Sequence, residues 1–337
     1  MSLLAAWMLA LAGARLAAPL PPGSPPSLTR GSGFLLIENK GDHTLGLVNP
    51  LEGKVVATIT LTGVTGHEVA ASPDGRFAYA PIYGNSGVGA PGTNGKTIDV
   101  INVAERRVVH VIDLGKPVRP HCAVYGPDGL LYVTAELAHA VYVINPHTRK
   151  IIASISTEQP ESHMLAITRD GTRGYTANVG AGTVTALDLR DRKPIAVIPV
   201  CRVVQRIALS SDDRFAFTAD QDKPRIAVIN TQTNRVENWI ALPAIGFGTR
   251  ATPDGKWLLV TMPGISKIAV VDLHTMKVVR SIDMPESPQE ILIGPHERTA
   301  YVSCDRSQQV AVLDLESWRV DKLIRVGRND DGMAWAR

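Results

Sequence analysis

Residues 163–178 read HMLAITRDGTRGYTAN, two short β-rich segments on either side of a tight turn. Asp170-Gly171 suits such a turn, because glycine accepts positive φ and aspartate hydrogen-bonds to its own backbone. The flanking segments, His163–Thr168 and Arg173–Asn178, have the length and residue types of strands. No long window of the chain shows helical spacing. The stretch therefore predicts two antiparallel strands joined by a hairpin turn.

The same turn recurs along the chain at regular intervals. Its copies end at residues 75, 129, 171, 213, 255 and 297, so one longer interval is followed by four equal ones of about 42 residues. The longer first interval contains an insertion of about 12 residues, which we assign to the Gly-rich segment Tyr83–Lys96. A fixed period of this length predicts a repeat architecture.

Each repeat contains four β-rich segments. In one repeat the third is Val141–Asn145 and the fourth is Lys150–Ile155, both rich in β-branched residues and bounded by turn residues. Four short antiparallel strands in a repeat of this length are typical of a β-propeller blade.

Counting the repeats gives the number of blades. Six complete repeats begin at His67, His121, His163, Gln205, Phe247 and Gln289. Phe34–Leu61 supplies only strands two to four of a further repeat, and Asp331–Ala336 supplies only a first strand. We therefore predict an all-β, seven-bladed propeller of four-stranded antiparallel blades, whose last blade is closed by the N- and C-terminal segments.

Second strands such as Tyr132-Val-Thr-Ala135, Tyr175-Thr-Ala-Asn178 and Tyr301-Val-Ser-Cys304 share a short motif, and Ile-Asn-Pro-His-Thr follows at 144–148. From Phe34 to the C-terminus the chain resembles the YVTN-type β-propeller repeat family. The resemblance implies the propeller fold. It leaves the activity open, because similar propellers serve as surface-layer proteins, lactonases, lyases and domains of copper or haem enzymes.

The N-terminus differs in composition from the repeats. Residues 1–18 contain a short apolar run with small residues near its end, typical of a signal peptide, and 19–33 form a Pro-rich linker before a single propeller domain at 34–337. We expect a periplasmic or extracellular protein with no transmembrane domain in the mature chain. Three cysteines without CxxC spacing predict no disulfide framework.

Polar residues recur where the first strand of each repeat begins and where the second ends, and both places lie at the same mouth of a propeller channel. The histidines His67, His121 and His163 come from three consecutive repeats. The other predicted ligand-binding residues at this mouth are Gln205, Arg206, Gln289, Glu290, Asp331, Glu136, Asn178 and Asp220. The insertion lies at this mouth beside His67, where a long loop is a usual place for function.

Three neighbouring histidines allow several functions. They could bind Zn or Cu, or no metal at all, serving instead as ligand-lining groups. As general bases they would make His67, His121, His163 and Glu68 the candidate catalytic residues, with Arg206 stabilising an oxyanion.

The main functional prediction is an exported propeller that binds a small molecule or a protein partner at this channel mouth. The alternative is a lactonase-like hydrolase or lyase, or a metal-dependent enzyme, with its site at the same mouth. A net charge of +3 without a Lys/Arg stripe argues against nucleic acid as a partner. We expect a monomer.

Overall fold

A computed structural model describes residues 33–337 of the chain. The predicted signal peptide and nearly all of the predicted linker lie outside these residues. The described part folds into seven separate four-stranded antiparallel sheets, as the repeat predicted. No helix in this part is long and apolar enough to cross a membrane.

The blades are numbered in chain order, and strand one of each blade lies nearest the central channel. Blade 1 consists of β28 (Asp330–Ala336), β1 (Phe34–Asn39), β2 (Thr44–Asn49) and β3 (Lys54–Thr60). Blade 2 consists of β4 (Ala70–Ala71), β5 (Phe77–Ile82), β6 (Thr97–Asn102) and β7 (Arg107–Asp113), and blade 3 of β8 (Pro120–Tyr125), β9 (Leu131–Ala135), β10 (Ala140–Asn145) and β11 (Lys150–Ser156). Blade 4 consists of β12 (Ser162–Ile167), β13 (Arg173–Asn178), β14 (Thr183–Asp188) and β15 (Lys193–Pro199), and blade 5 of β16 (Val204–Leu209), β17 (Phe215–Asp220), β18 (Arg225–Asn230) and β19 (Arg235–Ala241). Blade 6 consists of β20 (Thr249–Ala251), β21 (Trp257–Met262), β22 (Lys267–Asp272) and β23 (Lys277–Asp283), and blade 7 of β24 (Pro288–Ile293), β25 (Thr299–Cys304), β26 (Gln309–Asp314) and β27 (Arg319–Arg325).

Blade 1 is built from both ends of the described chain. Strand β28 pairs antiparallel with β1, with Leu35 opposite Trp335 and Ile37 opposite Met333. This pairing confirms the predicted closure, and it covers an edge of β1 that would otherwise expose unpaired backbone groups.

The turn between strands one and two has the same hydrogen bonds in several blades, which explains its sequence. In blade 2 the Ser72 hydroxyl accepts the amide of Phe77 at 2.9 Å, while the Asp74 carboxylate accepts the amide of Arg76 at 3.1 Å. Thr168, Ser210 and Thr252 accept the equivalent amides in blades 4, 5 and 6. The turn ends in the left-handed region even where glycine is replaced, as at Asp213 with φ 59°.

In the described part of the chain, two short 3-10 helices join strands two and three, Glu136–Ala138 in blade 3 and Pro263–Ile265 in blade 6. The sequence did not predict these helices, because three residues are too few for apolar residues to recur at helical spacing. Apolar side chains pack between neighbouring blades; one buried cluster contains Val141, Leu165, Tyr175 and Ala216 from blades 3, 4 and 5. All three cysteines are free.

Candidate functional site

The start of strand one is irregular in several blades, and these irregularities position the candidate residues. The register between strands one and two shifts between Pro120 and Ala123, between Ser162 and Met164, and between Gln205 and Ala208. His121, His163 and Arg206 lie at these shifts. A β-bulge redirects side chains, so the three residues leave the alternation of the strand. Arg206 also has a positive φ of 54°.

Hydroxyl groups on strand two hold these irregular segments in place. Thr134 accepts the amide of Cys122 at 2.9 Å and donates to the carbonyl of His163 in the next blade at 2.8 Å. Thr261 donates in the same way to the carbonyl of Gln289 at 2.8 Å. The sequence reasoning missed these threonines, although their recurrence in the middle of strand two was a visible signal.

The three histidines come together as predicted, with two residues packed around them. The rings of His121 and His163 have centroids 3.5 Å apart and an interplanar angle of 32°, and His67 lies 5.1 Å from His121. Glu136 joins the group, because its carboxyl group is hydrogen-bonded to Nδ1 of His163 and accepts the Tyr83 hydroxyl at 2.7 Å. We call these five residues the histidine cluster, and the end of the channel where they lie the histidine mouth.

Burial keeps two of the imidazoles uncharged. Loss of hydration, with Lys40 nearby, lowers the pKa of His67 to about 3, and burial beside His163 lowers the pKa of His121 well below its usual value. The Nδ1 atom of His121 is buried and has no hydrogen-bond partner within the described residues. His121 therefore presents a neutral ring with one unused polar atom.

The orientation of the histidine rings does not favour the predicted Zn or Cu site. In residues 33–337 no group of three or more His, Cys, Asp or Glu side chains is arranged to hold a metal ion. Nitrogen lone pairs lie in the ring plane, so the rings of His121 and His163, which face each other at an angle of 32°, do not direct them to a common point. Zn or Cu binding by the three histidines stays a prediction that would require these rings to turn.

A second group of charged side chains crosses the channel. Arg206 on blade 5 contacts Glu68 and Asp331, each at 2.5 Å, and Lys40 pairs with Asp331 at 2.9 Å. We call these four residues the arginine layer. Arg206 is buried and both of its terminal amino groups are engaged by carboxylates, so in this arrangement its guanidinium is not free to serve as the predicted oxyanion donor.

The carboxylates of the arginine layer differ in their proton affinity. Burial raises the pKa of Glu68 well above its usual value, although Arg206 opposes this. Burial also acts to raise the pKa of Asp331, but Lys40 and Arg206 together outweigh it and the pKa falls. Asp331 is therefore the fixed negative charge of the layer.

The insertion folds over the histidine cluster, where the sequence placed it. Its first residue, Tyr83, packs against His67 with ring centroids 4.7 Å apart. The guanidinium of Arg119 holds the loop by donating to the Asn94 side chain and to the carbonyl of Ala90, both at 2.7 Å. A Cβ atom built on Gly89 would lie 2.7 Å from Oε1 of Glu161, so the loop extends from blade 2 to the edge of blade 4.

The remaining predicted residues divide into two groups. Glu290 is buried near the arginine layer and accepts the amide of Met333 at 2.6 Å, while Gln289 bonds to Ser287 and Gln205 to the amide of Arg206. Asn178 and Asp220 bond to neighbours in their own blades. Asn178 is held by Ser162 and the threonines of blade 4, and Asp220 by Arg225. These two residues stabilise blade ends.

Glu38 is a buried acid that sequence reasoning missed. It is fully buried on β1, and neither carboxyl oxygen has a hydrogen-bond partner within the described residues. Burial, reinforced by Asp99, Glu68 and Asp331, raises its pKa well above the usual value. The signal was a single charged residue inside the apolar strand Phe34–Asn39.

A cavity of about 470 Å³ occupies the channel on the other side of the arginine layer. Glu68 and Glu290 lie at its inner end, and Arg169, Ser211 and Pro253 lie at its outer end, beside the turns that join strands one and two. We call this outer end the turn mouth. The cavity therefore opens at the mouth opposite the one where the sequence predicted binding.

Comparisons with known proteins support the fold and leave the function open. No model of a known protein family matches the chain. Over 191 residues it is 24% identical to "Uncharacterized protein YncE" of Salmonella typhi, and equally to that of Salmonella typhimurium. The match covers 56% of this chain and 53% of each relative, so the chain spans about half the length of the curated relatives it matches.

Solved structures match over most of the chain. A functionally unknown protein from Desulfotomaculum acetoxidans DSM 771 has a TM-score of 0.74 at 16% identity, covering 91% of this chain and 99% of its own. Hydrazine synthase of Kuenenia stuttgartiensis has a TM-score of 0.69 at 17% identity, covering 86% and 93%. At these identities the likeness shows a shared propeller fold, so the function has to be argued from the site.

Proposed function

We propose that the protein is a binding propeller that holds a small ligand in its central channel, between the arginine layer and the turn mouth. The cavity there carries the proposal. Its volume of about 470 Å³ lies within the usual range for small-molecule sites, roughly 300–1,000 Å³. Its lining combines apolar residues with charged groups, among them Glu68, Arg169 and Arg250.

The arginine layer supports this proposal because it closes the inner end of the cavity. Arg206, Glu68 and Asp331 span the channel from blade 5 to blades 1 and 2. A ligand therefore enters from the turn mouth and stops at Glu68 and Glu290. These are two of the residues that the sequence singled out.

Binding can be tested with N-phenyl-1-naphthylamine, an uncharged fluorophore that brightens in apolar surroundings. We expect saturable enhancement with one probe per chain. The Ser211→Trp variant should lose it, because residue 211 is half-buried at the turn mouth and indole would obstruct the opening. Ser317→Trp, in an exposed outer turn of blade 7, is the matched control. Non-saturable enhancement, or equal binding by both variants with unchanged melting temperatures, would reject a channel site.

A second candidate, an acid–base hydrolase or lyase at the histidine mouth, is favoured by the contact between Glu136 and His163. A carboxylate that accepts Nδ1–H of histidine fixes its ring and leaves Nε2 free to take a proton from water or substrate. The buried Nδ1 atom of His121 lies beside this pair. The geometry thus supplies a base and the group that orients it.

This candidate is tested by assaying chromogenic lactones and esters, with Zn and Cu measured in the same preparation. If the wild type hydrolyses one of them, His163→Asn should reduce kcat by roughly 100-fold or more. His147→Asn, an exposed histidine on blade 3, should leave it unchanged. Absence of turnover by the wild type would dismiss the candidate. Stoichiometric metal lost in His121→Ala would support the metal-dependent form.

We further propose that the repeats are of the YVTN type and that the chain is exported. Motifs such as Tyr132-Val-Thr-Ala135 support the repeat type, and the apolar run in residues 1–18 supports export. Intact-mass measurement after expression with and without a functional export pathway would test export. Loss of the predicted N-terminal signal segment only when the pathway operates is the expected result, and identical masses would oppose it.

A further inference from the structure

Arg250, on β20, presents an anchored but incompletely used guanidinium to the channel cavity. Its Nε atom donates to the carbonyl of Ile291 in the next blade at 3.1 Å. Its Nη2 atom lies 3.8 Å from Oε1 of Glu290, which is beyond hydrogen-bonding distance. Within residues 33–337 neither terminal amino group donates a hydrogen bond, and the side chain is 42% exposed where it lines the cavity.

The acids that line the cavity have other partners, although Glu290 also lies within ion-pair distance of Arg250. Glu68 is paired with Arg206, Glu290 accepts the amide of Met333, and Asp213 accepts the amide of Arg169 at 2.9 Å. Burial also raises the pKa of Glu290, which weakens the repulsion that an anion beside Arg250 would meet.

A second arginine stands at the opening of the same cavity. The side chain of Arg169 is exposed at the turn mouth and forms no ion pair within the described residues. An anion approaching the channel therefore passes one guanidinium before it reaches the other. Arg169 lies at the opening of the cavity and Arg250 lies deeper inside it. Both can donate hydrogen bonds to an anion that enters.

Apolar residues also contribute to the lining of the cavity. They come from four blades and are Met164, Leu165, Ile207, Leu292 and Met333. Contact between these residues and an apolar group of a ligand lowers the free energy. A sugar or another highly hydroxylated molecule would leave hydroxyl groups without hydrogen-bond partners against them.

From this arrangement we propose that the channel binds a small carboxylate with an apolar body, its carboxylate on the terminal amino groups of Arg250 and its body along the apolar residues of the lining. The inference rests on the proposed binding function and names its ligand class. Guanidinium is planar and presents two parallel N–H groups, the geometry that matches a carboxylate with two hydrogen bonds. The contact of Nε with Ile291 holds this plane before the ligand arrives.

Calorimetric titration with three probes of the same shape tests the ligand class: 1-naphthoate, 1-naphthalenemethanol and 1-naphthylmethylamine. We expect the carboxylate to bind about tenfold or more tighter than the alcohol, because hydrogen bonds to a charged partner are the stronger ones. The amine should bind most weakly.

The variant Arg250→Gln should bring the affinity for 1-naphthoate down to that for the alcohol and leave the alcohol unchanged. Arg250→Lys keeps the charge but loses the planar pair, so it should retain only part of the preference. Arg319→Gln, an exposed arginine on the outer strand of blade 7, is the matched control and should bind all three probes like the wild type.

The outcomes separate the two proposals. Equal binding of carboxylate and alcohol by the wild type, or preference for the amine, would overturn the carboxylate class and leave channel binding in place. A carboxylate preference that persists in Arg250→Gln would also overturn the assignment. If none of the three probes binds, the channel site itself fails.

Discussion

At the scale of single residues, burial decides what the predicted histidines can do. An exposed imidazole titrates near neutral pH, whereas loss of hydration holds His67 and His121 in the neutral form. The same effect acts with the opposite sign on Glu38, whose pKa is raised because the charged form loses its hydration. The chemistry available at the histidine mouth follows from which atoms water can reach.

The depressed pKa of His67 predicts a specific acid sensitivity. The folded value of about 3 lies below the ordinary 6.5, so the unfolded state binds a proton first. Stability is therefore full above pH 6.5 and is lost as the pH falls from 6.5 toward 3. The free energy of unfolding falls when the pH is lowered from 7 to 5. This fall should be smaller in His67→Gln than in the wild type, by up to about 2 kcal/mol.

Urea unfolding at the two pH values measures this difference. His147→Gln, an exposed histidine of blade 3, should show the acid sensitivity of the wild type. The same loss in His67→Gln and in the wild type would mean that His67 is protonated normally in the folded state.

At the scale of elements, the insertion is the longest departure from the repeat within residues 33–337, and Arg119 is one of the side chains that fasten it. Arg119 donates to Asn94 and Ala90 from the start of blade 3, and its own φ is positive at 50°. A non-glycine residue keeps such a φ only where its surroundings hold it in place. A residue outside the loop therefore contributes to its order, in addition to the bonds between Asn85 and Thr93 within it.

Removing this side chain should release the loop without unfolding the blades. In Arg119→Gln we expect cleavage within residues 84–96 by thermolysin to be at least about tenfold faster, because hydrogen bonds of a charged donor are lost. Arg107→Gln, which removes an exposed arginine of the same blade as the insertion, should be cleaved like the wild type. Unchanged cleavage in Arg119→Gln would show that the loop is ordered by its other contacts.

At the scale of the whole molecule, the arginine layer links blades that are distant in sequence. Arg206 on blade 5 reaches Glu68 before blade 2 and Asp331 on blade 1, across the channel. A buried ion pair costs desolvation, so its loss is most damaging when one charge is left behind. The layer therefore makes blade 5 and the closing blade interdependent.

Replacing Arg206 alone should be strongly destabilising. Arg206→Met leaves two buried carboxylates without this partner, and we expect a loss of about 3–5 kcal/mol in the free energy of unfolding. The double variant Arg206→Met with Glu68→Met keeps the Lys40–Asp331 pair and should recover much of that loss.

Denaturant titration of both variants tests this coupling. Arg202→Met, which removes an exposed ion pair with Asp222, should change stability by less than about 1 kcal/mol. A loss below about 1 kcal/mol in Arg206→Met would show that the layer contributes little to the closed ring.

Much of the architecture could be predicted because it follows from local patterns. Turn residues such as Asp170-Gly171 recur at a fixed period, and the partial repeats at Phe34–Leu61 and Asp331–Ala336 complete each other. The position of His67, His121 and His163 at one mouth followed from the same period. Glu136 and Asp331 were also singled out, but not their partners Tyr83 and Lys40, since spacing along the chain does not say which side chains meet across blades.

The sequence by itself therefore determined the number of blades, the blade that closes the ring and the mouth where the histidines gather. Only the tertiary structure decided that Arg206 is committed to Glu68 and Asp331, that the rings of His121 and His163 pack against each other, and that the cavity opens at the turn mouth. The physical reason is that turns and strands are specified by close neighbours along the chain. Ion pairs across a channel and the space left between them depend on side chains that are far apart in sequence, 138 positions for Arg206 and Glu68, and that meet only after the ring has closed.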